Sequence, residues 1–109
     1  MRCILFLLVA ALGLGAPRAM AADDEAKLKR YGQHLAQECA GCHRMDGIDA
    51  GIPPINGWEV ERFIATLGAY RTGERSNPAM GSVARSLDDD QVRALAIYFA
   101  ALPKPPARK

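Results

Sequence analysis

The chain has 109 residues, enough for one domain and no more. Its 14 basic and 12 acidic side chains leave a formal charge of +2, and nothing in this balance suggests nucleic-acid binding, which calls for a basic stripe with net positive charge. A domain this small buries little core and commonly needs a disulfide, a metal or another staple.

At the N-terminus, Arg2 gives a positive start and Ile4 to Leu14 is almost unbroken apolar sequence. Ala19-Met20-Ala21 then puts small residues at signal-peptidase spacing. This reads as a cleaved secretory leader over residues 1–21, too short to span as a transmembrane helix, and the expected address is the periplasm. The competing reading, an uncleaved membrane anchor, is weakened by the same shortness. Cys3 precedes the apolar run, where an acylated lipoprotein cysteine would follow it, and is read as lost with the leader. Arg2 and Arg18 leave too, so the remaining 88 residues hold 12 basic and 12 acidic side chains. The domain is expected over 22–103, with a Pro- and Lys-rich tail at 104–109 and no membrane span after cleavage.

Three segments have helical periodicity. The first is expected from about Asp24 to Glu38, with Leu28, Tyr31, Gly32, Leu35 and Ala36 on one face and Asp23 or Asp24 as its cap. The second is expected from about Gly57 to Thr72, aligning Val60, Phe63, Ile64 and Leu67. Asn56 and Glu59 have capping-box spacing there, Ile55 and Val60 that of a hydrophobic staple, and Gly73 is a plausible stop. The third is expected from Asp89 to about Leu102, with Asp88 and Gln91 as capping box, Leu87 and Val92 as staple, and Pro103 as terminator. The acidic triplet Asp88-Asp89-Asp90 is therefore a helix start. No alternating run is long enough for a strand, so the fold class is all-α: three main helices with long loops at 40–56 and 73–86. Loops of that length in so small a domain need something to wrap around.

Cys39-Ala40-Gly41-Cys42-His43 is the attachment signature of a c-type haem. The two thiols add across the haem vinyl groups to form thioethers, and two intervening residues let one helical turn reach both. His43 then brings its imidazole to the iron as proximal ligand, and Gly41 keeps the backbone slim beside the macrocycle. A disulfide between the two cysteines, a zinc site and a thioredoxin-like redox pair are the rivals. Zinc would need further ligands, of which only His34 remains, and a thioredoxin-like pair would need a βαβ context. One covalent haem c is therefore the expected cofactor. The candidates for the second iron ligand are Met45, Met80 and His34. Met45 lies two residues from His43, and His34 about one helical turn before Cys39, both on the proximal side. Met80 lies on the second long loop and can cross to the distal face, its rival use being ordinary core packing. His43 and Met80 are the expected iron ligands, the usual pairing in cytochromes c.

Over essentially the whole chain after the leader, the sequence resembles the class I cytochromes c. Within them it is similar to the cytochrome c553-like and sulfide dehydrogenase cytochrome-subunit group. Besides the haem motif, Gly32 matches the family glycine where the first and last helices cross, with Tyr98 or Phe99 expected to pack against it. Pro53-Pro54-Ile55-Asn56-Gly57 resembles the family's proximal loop. The resemblance implies that Pro53 offers its carbonyl to His43 Nδ1 and that Ile55 belongs to the haem-binding set. Gly73-Glu74-Arg75 before Met80, and Leu87-Asp88-Asp89-Asp90 after it, are similar to the sulfide dehydrogenase subunits. The loop from Asp46 to Ile52 is shorter than in that group, and such subunits often carry two haem domains where this chain has one motif.

The expected function is one-electron carriage between redox protein partners. A dehydrogenase or flavoprotein, such as one oxidising sulfide, would be the donor and an oxidase or another cytochrome the acceptor, with no catalytic residue expected on this chain. Uncharged Gly47, Ile48, Ile52 and Pro53 suggest a rather apolar docking patch. The alternatives are a haem enzyme or gas sensor with an open sixth site, which would need a distal acid–base residue, and a structural haem subunit that never cycles.

Overall fold

A computed structural model describes residues 17–106. Most of the expected leader and the last three residues of the tail lie outside the described residues. Four helices follow in order: α1 (Pro17–Ala40), α2 (Val60–Thr72), α3 (Pro78–Ser86) and α4 (Asp89–Ala100). No strand occurs among the described residues, as the all-α reading requires.

Helix α1 begins earlier than periodicity indicates. Pro17 is tolerated in a first helical turn, and the residues after it include Ala19, Ala21 and Ala22. Asp23 and Asp24 therefore sit inside α1 rather than capping it. Residues 19–27 are exposed throughout, and burial begins at Leu28, then Gly32, Leu35 and Ala36. Helix α2 starts later than expected, at Val60, and its cap residue Glu59 makes no side-chain capping bond. Asn56 is diverted: its Nδ2 donates to Met45 O at 2.8 Å, tying the loop to itself. Gly73 ends α2 in the left-handed region at φ 83°, where glycine escapes the Cβ penalty.

The second long loop is largely a helix, which corrects the three-helix expectation. Asn77 caps α3, its Oδ1 accepting from Met80 N at 3.0 Å, and Pro78 occupies the first helical position. In α4 the expected capping box forms. Asp88 Oδ1 accepts from Gln91 N at 2.8 Å, and Gln91 Oε1 accepts from Asp88 N at 3.0 Å.

Helices α1 and α4 cross where a Cβ on Gly32 would lie 2.0 Å from Ala94 O and 2.8 Å from Tyr98 Cβ. Only glycine lets the two backbones approach this closely. Of the two aromatic candidates, Tyr98 is the neighbour. Phe99 instead points into the core and is completely buried, with its ring 5.6 Å from that of Phe63 and nearly parallel to it. With Leu95 (1% exposed), it forms the centre of an apolar cluster to which all four described helices contribute, α3 through Ala84. Burying each such side chain contributes about 2–3 kcal/mol. Beyond α4, Lys104 and Pro105 pack on Gly57 and Gly47, so the chain end lies against the loop that follows α1.

Candidate functional site

Helix α1 delivers the motif at its C-terminal end. Cys39 O accepts from Cys42 N at 3.2 Å and from His43 N at 2.8 Å. This extra turn beyond α1 brings two thiols and one imidazole to the same end of the helix. No disulfide joins the two cysteines to each other, and Cys39 is half-buried while Cys42 is exposed. Burial, with Glu38 alongside, pushes the Cys39 thiol up to about 11, partly offset by its own backbone.

The ring of His43 is 9% exposed, and its Nδ1 donates to Pro53 O at 2.7 Å. A ring nitrogen so engaged fixes the tautomer and leaves the lone pair on Nε2 for a metal. The loop supplying Pro53 is shaped locally: Asp46 Oδ1 accepts from Ile48 N at 3.0 Å, and Asp49 Oδ1 from Gly51 N at 2.9 Å. Gly47 and Gly51 take positive φ between them. Arg44 pairs with Asp46 on the same loop and holds its carboxyl below the usual range, with the Ile48 N–H adding to the effect.

All six sequence-derived site residues, Cys39, Cys42, His43, Pro53, Ile55 and Met80, line one cavity of about 250 Å³. Its remaining walls are mostly apolar and include Phe63, Leu67, Val83, Leu87 and Leu95. Met80 reaches it from the first turn of α3, not from a loop. Met45 packs against the core outside the cavity lining, and His34 is exposed on α1. Among the described residues, no three His, Cys, Asp or Glu side chains gather as a conventional metal site. The donor set is instead one imidazole and one thioether, with two thiols at the same cavity. That chemistry and the apolar walls fit a flat, largely apolar iron macrocycle tethered through sulfur.

Sequence reasoning missed Trp58, Tyr70 and Arg75, which also line the cavity. The Arg62 guanidinium lies 3.9 Å from the Trp58 ring centre, and that of Arg75 lies 5.0 Å from the Tyr70 centre. Tyr70 was findable, since Phe63, Leu67 and Tyr70 share one helical stripe. Trp58 precedes its helix, so no periodicity marks it.

Residues 30–103 match the family model described as Cytochrome c. The thiosulfate dehydrogenase electron acceptor of Stutzerimonas stutzeri (strain A1501) is 41% identical over 68 residues, 58% of this chain and 32% of that protein. The cytochrome subunit of sulfide dehydrogenase of Chlorobaculum tepidum is 34% identical over 74 residues, 67% of each chain. Cytochrome c-552 of Acidithiobacillus ferridurans is 35% identical over 108 residues, 93% of this chain and 46% of that protein. The chain thus spans about a third of the first of these relatives and less than half of the last. Cys39, Cys42 and His43 have the spacing of the family's haem motif, and the chain belongs to the cytochrome c family, with covalently bound haem c as its cofactor.

Proposed function

We propose that the protein is a periplasmic single-haem electron carrier that accepts electrons from a dehydrogenase of reduced sulfur compounds. The observation that carries this reading is one apolar cavity lined by the Cys39 and Cys42 thiols, the His43 imidazole and the Met80 thioether. Haem c supplies a one-electron iron couple when bound. Cys39 and Cys42 would hold it through thioethers, His43 Nε2 and Met80 Sδ would be the ligands to its iron, and Ile55 would form part of the wall. Pro53 keeps the imidazole in one tautomer through its carbonyl. Two protein ligands would leave no coordination position for a substrate, which favours electron carriage over ligand chemistry, and a thioether ligand would raise the potential relative to a second imidazole.

The donor class is supported by relatives named as a thiosulfate dehydrogenase electron acceptor and a sulfide dehydrogenase cytochrome subunit. The leader pattern supports export, and the described residues around Ala21, 19–27, are exposed. Among the described residues, no helix is long and apolar enough to cross a membrane. The test is carbon monoxide added to the purified, reduced holoprotein and read as a difference spectrum. No binding is the expected result, and stoichiometric binding would hand the protein to the open-site reading, an enzyme or gas sensor.

A further inference from the structure

Arg71, on the last turn of α2, has a side chain only 35% exposed, because its guanidinium enters the junction between α3 and α4. Nη2 donates to Leu87 O at 2.9 Å, Nη1 to Asp89 Oδ1 at 2.7 Å, and Nε to Ala84 O at 3.4 Å. The last carbonyls of a helix have no partners within it and attract positive charge. Arg71 thus meets the C-terminal end of α3 with both donors and charge.

The geometry points to Arg71 as the positioning residue for the Met80 thioether. Helix α3 has nine residues, too few to hold its shape or place unaided. Among the described helices it packs on α2 alone. Its first turn, bearing Met80, is capped by Asn77. Its far end is held by Arg71, which reaches Ala84, one turn after Met80 and completely buried. Fixing both ends sets the pitch and rotation of α3, and with them the direction of the sulfur. Without Arg71, α3 rocks on α2 and the population with Met80 withdrawn from the iron grows. An external ligand then binds more tightly, in proportion to that population. This inference rests on Met80 as the second axial ligand.

The test uses oxidised holoprotein, imidazole as competing ligand, and the weak red charge-transfer band that ferric haem shows with a sulfur ligand. Arg71→Gln is expected to weaken the band, lower the reduction potential and tighten imidazole binding about tenfold, the scale of a lost charged hydrogen bond. Arg71→Lys keeps the charge without the planar fork and is expected between wild type and Arg71→Gln. Leu35→Ala, which loosens the packing of α1 on the core away from α3, controls for general destabilisation and is expected to change imidazole affinity little. The proposal is overturned if Arg71→Gln stays within about twofold of wild type, or if Leu35→Ala matches its shift. Should Arg71→Gln not accumulate as holoprotein, Arg71→Lys carries the test under the same twofold threshold. Met80→Leu separates the two readings: retention of its sulfur band sinks the axial assignment and this proposal together. Its loss, with unchanged Arg71 variants, sinks this proposal alone.

Discussion

His43 donates Nδ1 to Pro53 O at 2.7 Å, and that bond decides which ring nitrogen faces the cavity. The bond was legible from the proline-rich loop only through its family resemblance, since ten residues separate donor and acceptor. With the proximal side so fixed, Met80→Ala is expected to turn a carbon-monoxide-silent reduced protein into one that binds it stoichiometrically. The same titration on wild type supplies the baseline, and equal behaviour of the two would remove Met80 from the iron. Gly32 makes a different kind of demand. A Cβ there would lie 2.0 Å from Ala94 O, a backbone atom that cannot swing aside, so Gly32→Ala should destabilise the holoprotein by about 3 kcal/mol. Chemical denaturation measures this, and a midpoint near wild type would mean that α1 and α4 separate more easily than their packing implies. The family resemblance marked Gly32 as a crossing point, but the obstructing atom belongs to the partner helix and has no sequence signature.

The helices differ in how much of each is written locally. Helix α4 was legible almost to the residue, because Asp88, Gln91, the apolar stripe and Pro103 all act within a few positions of one another. Helix α3 was missed. Its stretch PAMGSVARS is amphipathic but only nine residues long and poor in large apolar side chains, and its ends are held by Asn77 and by the distant Arg71. The start signal, Asn77 followed by Pro78, was present in the sequence. In the other direction, the Asn56–Glu59 spacing suggested a capping box that does not form, because Asn56 binds Met45 O instead. These two kinds of cap should respond differently to mutation. Asp88→Ala removes a cap from a helix that packs on both α1 and α2, so global stability should fall by about 1 kcal/mol. Asn77→Ala removes a cap from a helix attached to α2 alone. It should leave the unfolding midpoint nearly unchanged while amide exchange in α3 accelerates several-fold. Hydrogen exchange by residue checks both, and equal midpoint losses would make α3 part of the same cooperative unit as α4.

At the scale of the whole molecule, charge and exposed apolar surface set how partners meet the cavity. The exposed large apolar side chains include Ile48, Ile52 and Val83, at 54%, 43% and 37% exposure, and the latter two also line the cavity. Residues 22–109 hold 12 basic and 12 acidic side chains, so in that segment long-range steering toward a strongly charged partner is weak. Encounter should then depend on desolvating the apolar rim, in the manner of small, short-lived electron-transfer contacts. Ile52→Glu places a charge on that rim without touching an axial ligand. It should slow electron transfer from a thiosulfate or sulfide dehydrogenase about tenfold and leave the reduction potential nearly unchanged. Raising ionic strength from roughly 0.01 to 0.15 M should alter the wild-type rate by less than about threefold, since screening has little net charge to act on. Stopped-flow mixing of reduced dehydrogenase with oxidised protein gives both numbers. A steep salt dependence with an indifferent Ile52→Glu would move the docking face to one of the charged surfaces, and a joint loss of rate and potential would mean that Ile52 shapes the cavity itself.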